Sequence, residues 1–393
     1  MRPGFDLPLN HEPPASDAYR FEVGGGHWIF GGDPATVSHL EHLVDVRVYQ
    51  RRAVVRIGDL GCTVPYPLQA NVDALGPRLA ETAHNELALA DFDSADTSTL
   101  HAALSAAFGK TLCEIFFFPF HDRYTAGMMR SIANQDTYKS PRTGGHGYNA
   151  SFRYPVGGLD RLSSAMAARC DVRYGKRLVG INRRDHTLEF DDGTEHGYDR
   201  LLSTLPLHHA LALAAIDVGE AHDPYTSVLV LNIGAERGPM CPDVHWQYEP
   251  DSRSGFHRIG FYSNVDPDFL PATHRDGSHV SMYVERAYAG GERPSADEVV
   301  AFTDEVIEEL QAREYIGTPE VAHPSWVDVA YTWRSPGSTW KARALDALAA
   351  GGIQQIGRYG RWHFQGIADS IREGLANGRT VATSGPPVPQ MTR

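Results

Sequence analysis

The chain has 393 residues, 42% of them hydrophobic and 22% charged, which is long and apolar enough for a large buried core and, by length, for two structural units rather than one. With 49 Asp+Glu against 36 Lys+Arg the formal net charge is −13, which argues against a nucleic-acid backbone binder or a cationic membrane surface while allowing a local arginine pocket. Cys62, Cys113, Cys170 and Cys241 lie far apart without CxxC spacing, and neither a signal peptide nor an apolar run of about eighteen residues is seen, so a reduced, cytoplasmic setting is expected.

The first twenty residues carry Pro3, Pro8, Pro13 and Pro14 and read as an irregular arm. FEVGGGHWIFGG follows, from Phe21 to Gly32. Its three successive glycines permit positive φ and a close approach to a flat ligand; the alternative is a strand-exit turn whose Trp28, Ile29 and Phe30 enter the core. TVSHLEHLV predicts a short amphipathic helix, and VRVYQRRAVVRIG predicts a hairpin of Val46 to Tyr49 with Ala53 to Ile57. Asn71 to about Phe118, rich in Ala and Leu, predicts helices, and Tyr138 to Tyr148, with Gly144, Gly145 and Gly147, predicts a loop.

The next block predicts a turn at Gly157-Gly158, a helix over Leu159 to Ala168, and strands at Asp171 to Tyr174 and Arg177 to Ile181. A hairpin around Asp191-Asp192-Gly193 and a buried strand from Leu201 to Leu205 complete an α/β layer. Ser227 to Ile233, His257 to Ser263 and His279 to Tyr288 read as strands of a larger sheet. Ala296 to Arg313 is the clearest helix, with an apolar stripe of Val299, Phe302, Val306, Ile307 and Leu310 and Ser295 as N-cap. Near the C-terminus, Ile353 to Ile356 predicts a short buried strand, Gly357 and Gly360 a turn, and Gln365 to Leu375 a helix. A glycine turn between a strand end and a helix start suits an anion or a ring carbonyl, with Arg358 and Arg361 as fork-shaped donors; a surface turn with solvated arginines is the equal alternative.

Several chemistries have no pattern here. HExxH and GxSxG do not occur, and the nineteen histidines, His208-His209 among them, show no spacing that specifies zinc, so no metal site is expected. Neither GxGxxG nor GxxxxGK[ST] occurs.

Six stretches in order carry a resemblance: FEVGGGHWIFGG (21–32), VPYPLQANVDAL (64–75), FFFPFHDRY (116–124), NASFRYPVGGLDRL (149–162), WQYEPDSRSGFHRIGFYSN (246–264) and GRYGRWHF (357–364). Over roughly residues 20 to 385 the chain resembles UDP-galactopyranose mutase, especially the eukaryotic type, and the related FAD-dependent amine-oxidase and protoporphyrinogen-oxidase-like proteins. The resemblance implies an α/β fold in which an FAD/NAD(P)-binding-like domain, assembled from discontinuous segments, is interleaved with a substrate domain of helices and a mixed or antiparallel sheet. The implied order is an irregular arm at 1–20, an incomplete FAD-domain part at 21–61, and a mostly helical substrate-side insertion at 62–150. An FAD-domain segment at 151–211, a substrate-side sheet and helix at 212–325, a C-terminal FAD-domain segment at 326–385 and a flexible tail at 386–393 follow. The segments Tyr154 to Leu205 and Gly351 to Gly378 are expected to meet.

The resemblance also implies roles. Gly25, Gly26 and His27 match the family's glycine-glycine-histidine turn beside the flavin ring, with one extra glycine, and His27 is the nominated catalytic group. Val179 and Ile181 match the strand beside the adenosine part; Gly357, Arg358 and Gly360 match the C-terminal flavin-facing turn. Tyr248 and Arg258 match the tyrosine and arginine that hold a nucleotide-sugar diphosphate, and Arg258 and Arg358 are expected to line one cleft. Where the family has PYNFKVW this chain has PFHDRYT, placing Phe120, His121 and Thr125 at its tyrosine, asparagine and tryptophan; Arg142 is the loose counterpart of a second diphosphate arginine, and Phe364 replaces a tyrosine. The implied function is FAD-dependent hydride transfer with a small, anionic organic substrate. The alternatives are a mutase-like isomerase acting on a nucleotide sugar and a flavoprotein scaffold without catalysis. Because the family's GxGxxG βαβ unit has no counterpart here, this chain expressed alone is expected to hold FAD weakly or not at all and to self-associate.

Overall fold

The computed structural model describes residues 17–134 and 150–383; the proline-rich arm, the 138–148 loop with Arg142 and the C-terminal tail lie outside the described residues. The chain forms two units. One comprises Met1–Trp28, Val48–Phe152 and Tyr225–Tyr331, the other Ile29–Arg47, Arg153–Pro224 and Thr332–Arg393.

The first unit is built on a seven-stranded sheet in the order Ile316–Thr332, Tyr225–Arg237, His279–Ala289, Arg258–Phe261, Trp246–Tyr248, Ala53–Ile57, Cys62–Pro65. Trp246–Tyr248 runs parallel to Ala53–Ile57 and antiparallel to Arg258–Phe261, so the sheet is mixed. Strand alternation divides its faces. Leu229, Leu231, Ile233, Val280, Met282 and Val284 point to one face, where Val299, Phe302, Val306 and Leu310 of helix Ala296–Ala312 complete a dry core. That helix starts as its sequence promises: Ser295 Oγ accepts from Glu298 N and the Glu298 carboxylate accepts from Ser295 N, a reciprocal capping box. The other face carries Val230, Asn232, Tyr283 and Glu285, and becomes the candidate site.

Ile316–Thr332 has no counterpart among the sequence expectations, because Pro319 and Pro324 interrupt its pattern. It lies at the sheet edge, where a residue without an N–H can be accommodated. The expected hairpin does not form: Ala53–Ile57 pairs instead with Trp246–Tyr248 and with Cys62–Pro65, and so is not the partner of Val46–Gln50. The helical region resolves into Pro77–Leu89, Leu100–Leu112 and Phe118–Tyr124, with a π-helical turn at Cys113–Phe117 and a break at Gly109, whose φ is 72°. The segment Leu100–Tyr124 is long and apolar enough by composition to cross a membrane; in this fold it buries Leu104, Phe108, Leu112, Phe116 and Phe117.

The second unit contains the expected meeting of separated segments. Leu201–Ser203 and Ile353–Gln355 pair in parallel, Leu201 opposite Ile353 and Ser203 opposite Gln355. A separate antiparallel sheet joins Leu178–Asn182, Thr187–Phe190 and Glu195–Gly197. Asp171 to Tyr174 is not a strand: it is exposed throughout and offers no buried face to pair. Helix Pro34–Leu43 is capped by Asp33, which accepts from Ala35 N and Thr36 N, and its Leu40 joins Ile29, Leu162, Ala368 and Ile371 in the unit's core. The C-terminal helix runs Ile367–Thr383, longer than the sequence suggests.

Candidate functional site

In the first unit, cross-strand register aligns the key side chains. Tyr248 lies opposite Arg258, and Arg258 opposite Glu285, so three neighbouring strands present a tyrosine, an arginine and a glutamate in one row on the face away from helix Ala296–Ala312. Nη2 of Arg258 lies 2.7 Å from Oε1 and 2.6 Å from Oε2 of Glu285. The carboxylate is buried, and Nε2 of His257 approaches its Oε2 at 3.4 Å. Burial opposes ionisation of both partners. Their mutual attraction nevertheless holds the Glu285 carboxyl below the usual carboxylate range and raises Arg258 well above the ordinary arginine value, whereas burial keeps His257 below the usual histidine range. Arg258 keeps about a quarter of its side chain exposed, with a side-chain relative exposure of 24%. Its Nε is buried without a hydrogen-bond partner among the described residues. One edge of the guanidinium is therefore neutralised by the protein while another retains donor capacity.

Aromatic rings border the row. Tyr248 stands 4.7 Å from Tyr66 and 5.3 Å from Phe120 between centroids, and Tyr124 lies 4.5 Å from Tyr331 and 5.5 Å from His257. Phe120, where the family motif has tyrosine, contributes a buried apolar ring to this wall. Helix Ala296–Ala312 supports the approach to Arg258 from behind: Glu309 accepts from the Arg253 and Ser254 backbone N–H groups at 2.9 and 2.7 Å.

The opening glycine turn closes onto the same residues. Gly24 and Gly25 both have φ of 88°. A Cβ on Gly25 would stand 2.7 Å from Oε1 of Glu285, and one on Gly26 would stand 2.7 Å from Cζ of Tyr283. Gly260, directly opposite Tyr283 in the sheet, leaves room for the same ring, so the tyrosine lies between two glycines. His27 is exposed, and its Nδ1 donates to the Gly25 carbonyl at 2.8 Å, leaving Nε2 as the ring's acceptor. Thus Gly25, Gly26, Tyr248 and Arg258 converge through Glu285 and Tyr283. Neither Glu285 nor Tyr283 is among the residues nominated from sequence, although a glutamate inside the otherwise apolar HVSMYVERAY strand is the signal that points to Glu285.

The second unit gathers Gly357, Arg358 and Gly360 beyond the carboxyl end of the parallel pair, the end at which open α/β sheets take ligands. Gln355, the last strand residue, is buried with both amide heteroatoms lacking hydrogen-bond partners among the described residues. A Cβ on Gly360 would meet its Oε1 at 2.8 Å. These features fit a polar ligand such as a flavin carbonyl or ribityl chain. The turn is partly served by the protein itself: Gly357 N–H donates to Glu373 at 3.0 Å, and Arg358 Nη1 donates to the Gln365 carbonyl at 3.1 Å with its guanidinium 4.7 Å from the Phe364 ring. Ile181 is buried in the separate antiparallel sheet, whereas Val179 is half exposed. Arg258 belongs to the first unit and Arg358 to the second.

No protein-family model matches the chain. Among solved structures it is similar to a reduced UDP-galactopyranose mutase, with TM-score 0.76 and 21% identity over 93% of this chain and 85% of that one. It is similar to a putrescine oxidase double mutant redesigned in cofactor binding, with TM-score 0.55 and 14% identity over 93% and 90%. A CLA-producing fatty acid isomerase from P. acnes gives TM-score 0.58 and 11% identity over 92% and 87%. The chain thus shares its fold with solved structures whose names are those of a mutase, an oxidase and an isomerase.

Proposed function

We propose that the protein is an FAD-dependent oxidoreductase acting on a small organic anion. The observation that carries this reading is the cross-strand row of Tyr248, Arg258 and Glu285, with aromatic walls and a guanidinium that keeps about a quarter of its side chain exposed. Arg258 would fix a carboxylate or similar anion through its remaining donors, and Tyr248 would orient it against the rings. Glu285 holds the guanidinium in place and reduces its net charge, which suits a singly charged substrate better than a diphosphate. Phe120 favours the same choice, since it offers no hydrogen bond to a nucleotide sugar. In the second unit Gln355, Gly357, Arg358 and Gly360 would hold the cofactor. FAD, when bound, supplies hydride acceptance at the flavin N5. His27 is the proposed proton-handling group, its tautomer set by the Gly25 carbonyl.

The test is to titrate the purified chain with FAD and follow flavin fluorescence, then to add small amines, carboxylates and nucleotide sugars anaerobically and follow the visible flavin band. Weak but saturable FAD binding, in keeping with the absence of a GxGxxG turn from the sequence, is expected, with bleaching by a small anion that is weakened in Arg258→Lys. Isomerisation of a nucleotide sugar by the pre-reduced protein without net bleaching would assign mutase chemistry instead. An absence of saturable FAD binding would overturn the flavin reading.

A further inference from the structure

Six residues along strand His279–Ala289 from Glu285, or about 20 Å at the usual strand rise, lies a second polar cluster that the proposed reaction does not use. His274 belongs to the turn Ala272–His274, His279 opens the strand, and Glu320 comes from the edge strand Ile316–Thr332. Nε2 of His274 lies 3.2 Å from Oε2 of Glu320, and Nε2 of His279 lies 3.2 Å from Oε1. The three ligand atoms are all within 4.8 Å of one another. Tyr19 donates to Oε2 at 2.8 Å, and its ring occupies the space that Gly234 leaves for want of a Cβ.

Proton bookkeeping indicates what this cluster is made for. Oγ1 of Thr273 lies 2.8 Å from Nδ1 of His274 and 3.0 Å from Oδ1 of Asp17. Oγ of Ser278 lies 2.7 Å from Nδ1 of His279 and bonds Oδ1 of Asp276. Each hydroxyl has one proton, and an ionised carboxylate can only accept. The hydroxyl proton therefore goes to the aspartate, and the hydroxyl oxygen accepts from Nδ1–H of the histidine. A neutral imidazole protonated at Nδ1 turns a lone pair outward at Nε2. In that neutral form both histidines present lone pairs toward Glu320, itself an acceptor, and a cation between the three groups satisfies them all.

We propose that His274, His279 and Glu320 form a divalent transition-metal site, with Zn²⁺ the best match. Two imidazoles and one carboxylate with an open fourth position are a zinc donor set, and bonds of about 2.0–2.1 Å in a tetrahedron separate neighbouring ligand atoms by about 3.3 Å. The two His–Glu separations already have that value within a small tolerance. Thr273–Asp17 and Ser278–Asp276 are the outer hydrogen-bond relays that fix the histidine tautomers. The ion ties the 272–279 turn to the sheet edge. No sequence spacing announces it, because 41 residues separate His279 from Glu320.

The experiment uses tag-free chain, cleared with a chelator and titrated with Zn²⁺ at pH 7.5 by calorimetry, with Mg²⁺ as control. One saturable zinc site and a zinc-dependent rise in Tm are expected, with neither effect from Mg²⁺. His279→Ala and Glu320→Gln should each weaken binding by about 100-fold, and Ser278→Ala by about 10-fold, with far-UV circular dichroism in chelator as the folding control. Wild-type protein that takes up no stoichiometric zinc would overturn the proposal and leave the imidazoles as protonated partners of Glu320. Unchanged affinity in folded His279→Ala would overturn it equally.

Discussion

The turns at Gly24–Gly26 and Gly357–Gly360 look alike in the sequence, each a glycine cluster next to a charged or aromatic residue, yet their glycines answer to different constraints. In the first unit Gly25 and Gly26 face buried side chains of their own sheet, Glu285 and Tyr283. In the second, Gly357 has φ of 76° and a Cβ there would meet nothing closer than 3.6 Å, so backbone handedness is what it supplies. The difference teaches that a glycine cluster reports a close approach or an unusual dihedral without naming the neighbour. Each turn also leans on one carboxylate, Glu285 or Glu373, and those two anions divide the turns further.

The largest effect should separate the two carboxylates. Glu285 is almost wholly buried against Arg258, so Glu285→Gln leaves a mostly buried guanidinium without its counter-charge and should cost about 3 kcal/mol or more. Glu373 accepts from Gly357 N, Gln365 Nε2 at 2.8 Å and a half-exposed Arg361, and Glu373→Gln should cost about 1 kcal/mol. Urea unfolding of both variants provides the comparison. Equal losses would mean that the buried pair contributes no more than the turn's cap.

Acid should divide the regions next. Burial lowers His245 in the first unit to about 4 and His208 in the second to about 3, and lowers His257 as well. A histidine whose folded pKa lies below its unfolded value binds its proton more readily in the unfolded chain. Its stabilising contribution is therefore present above about pH 6.5 and is lost as pH falls toward the folded value. Glu285 adds a loss of the same sign at still lower pH. His245 is 3% exposed and alone should contribute about 3 kcal/mol of the decline between pH 6.5 and 4. His245→Gln should flatten the decline in Tm over that interval; an unchanged slope would remove this histidine from the account.

Much of the fold is legible because its signals are local. The capping box of Ser295 and Glu298, the apolar stripe of the following helix and the alternation in 279–289 each specify an element from adjacent residues. The pairing of 201–203 with 353–355 follows from the family resemblance, since no local pattern links segments 150 residues apart. Ala53–Ile57 points to the wrong partner because two strands joined by Arg51-Arg52 satisfy a hairpin pattern, while the real competition comes from Trp246–Tyr248 far along the chain. Tyr248 and Arg258 can be named from motifs. Their shared row with Glu285 requires knowledge of register, and the meeting of His274 and His279 with Glu320 requires a sheet edge that Pro319 and Pro324 disguise.

The glycines themselves sharpen the contrast between the two turns. Gly26→Ala places a methyl against the buried Tyr283 ring, which is already confined on its other side by Gly260. The ring cannot move away without disturbing its contacts with Tyr262, whose centroid is 4.7 Å distant, so overpacking should cost about 2–3 kcal/mol. Gly357→Ala makes only an ordinary contact with Thr204 at 3.6 Å but must keep a left-handed φ, and should cost about 1–2 kcal/mol through the backbone. The mechanisms can be told apart by second substitutions. Replacing Tyr283 with leucine destabilises on its own, yet it shortens the confined side chain, so its cost and that of Gly26→Ala should combine to less than their sum. Gly357→Asn should recover part of the loss seen with alanine, because asparagine tolerates the left-handed region without any change in packing. Strict additivity of Gly26→Ala with Tyr283→Leu would mean that the ring does not set the need for glycine there, and the close approach would then have to be explained by another neighbour.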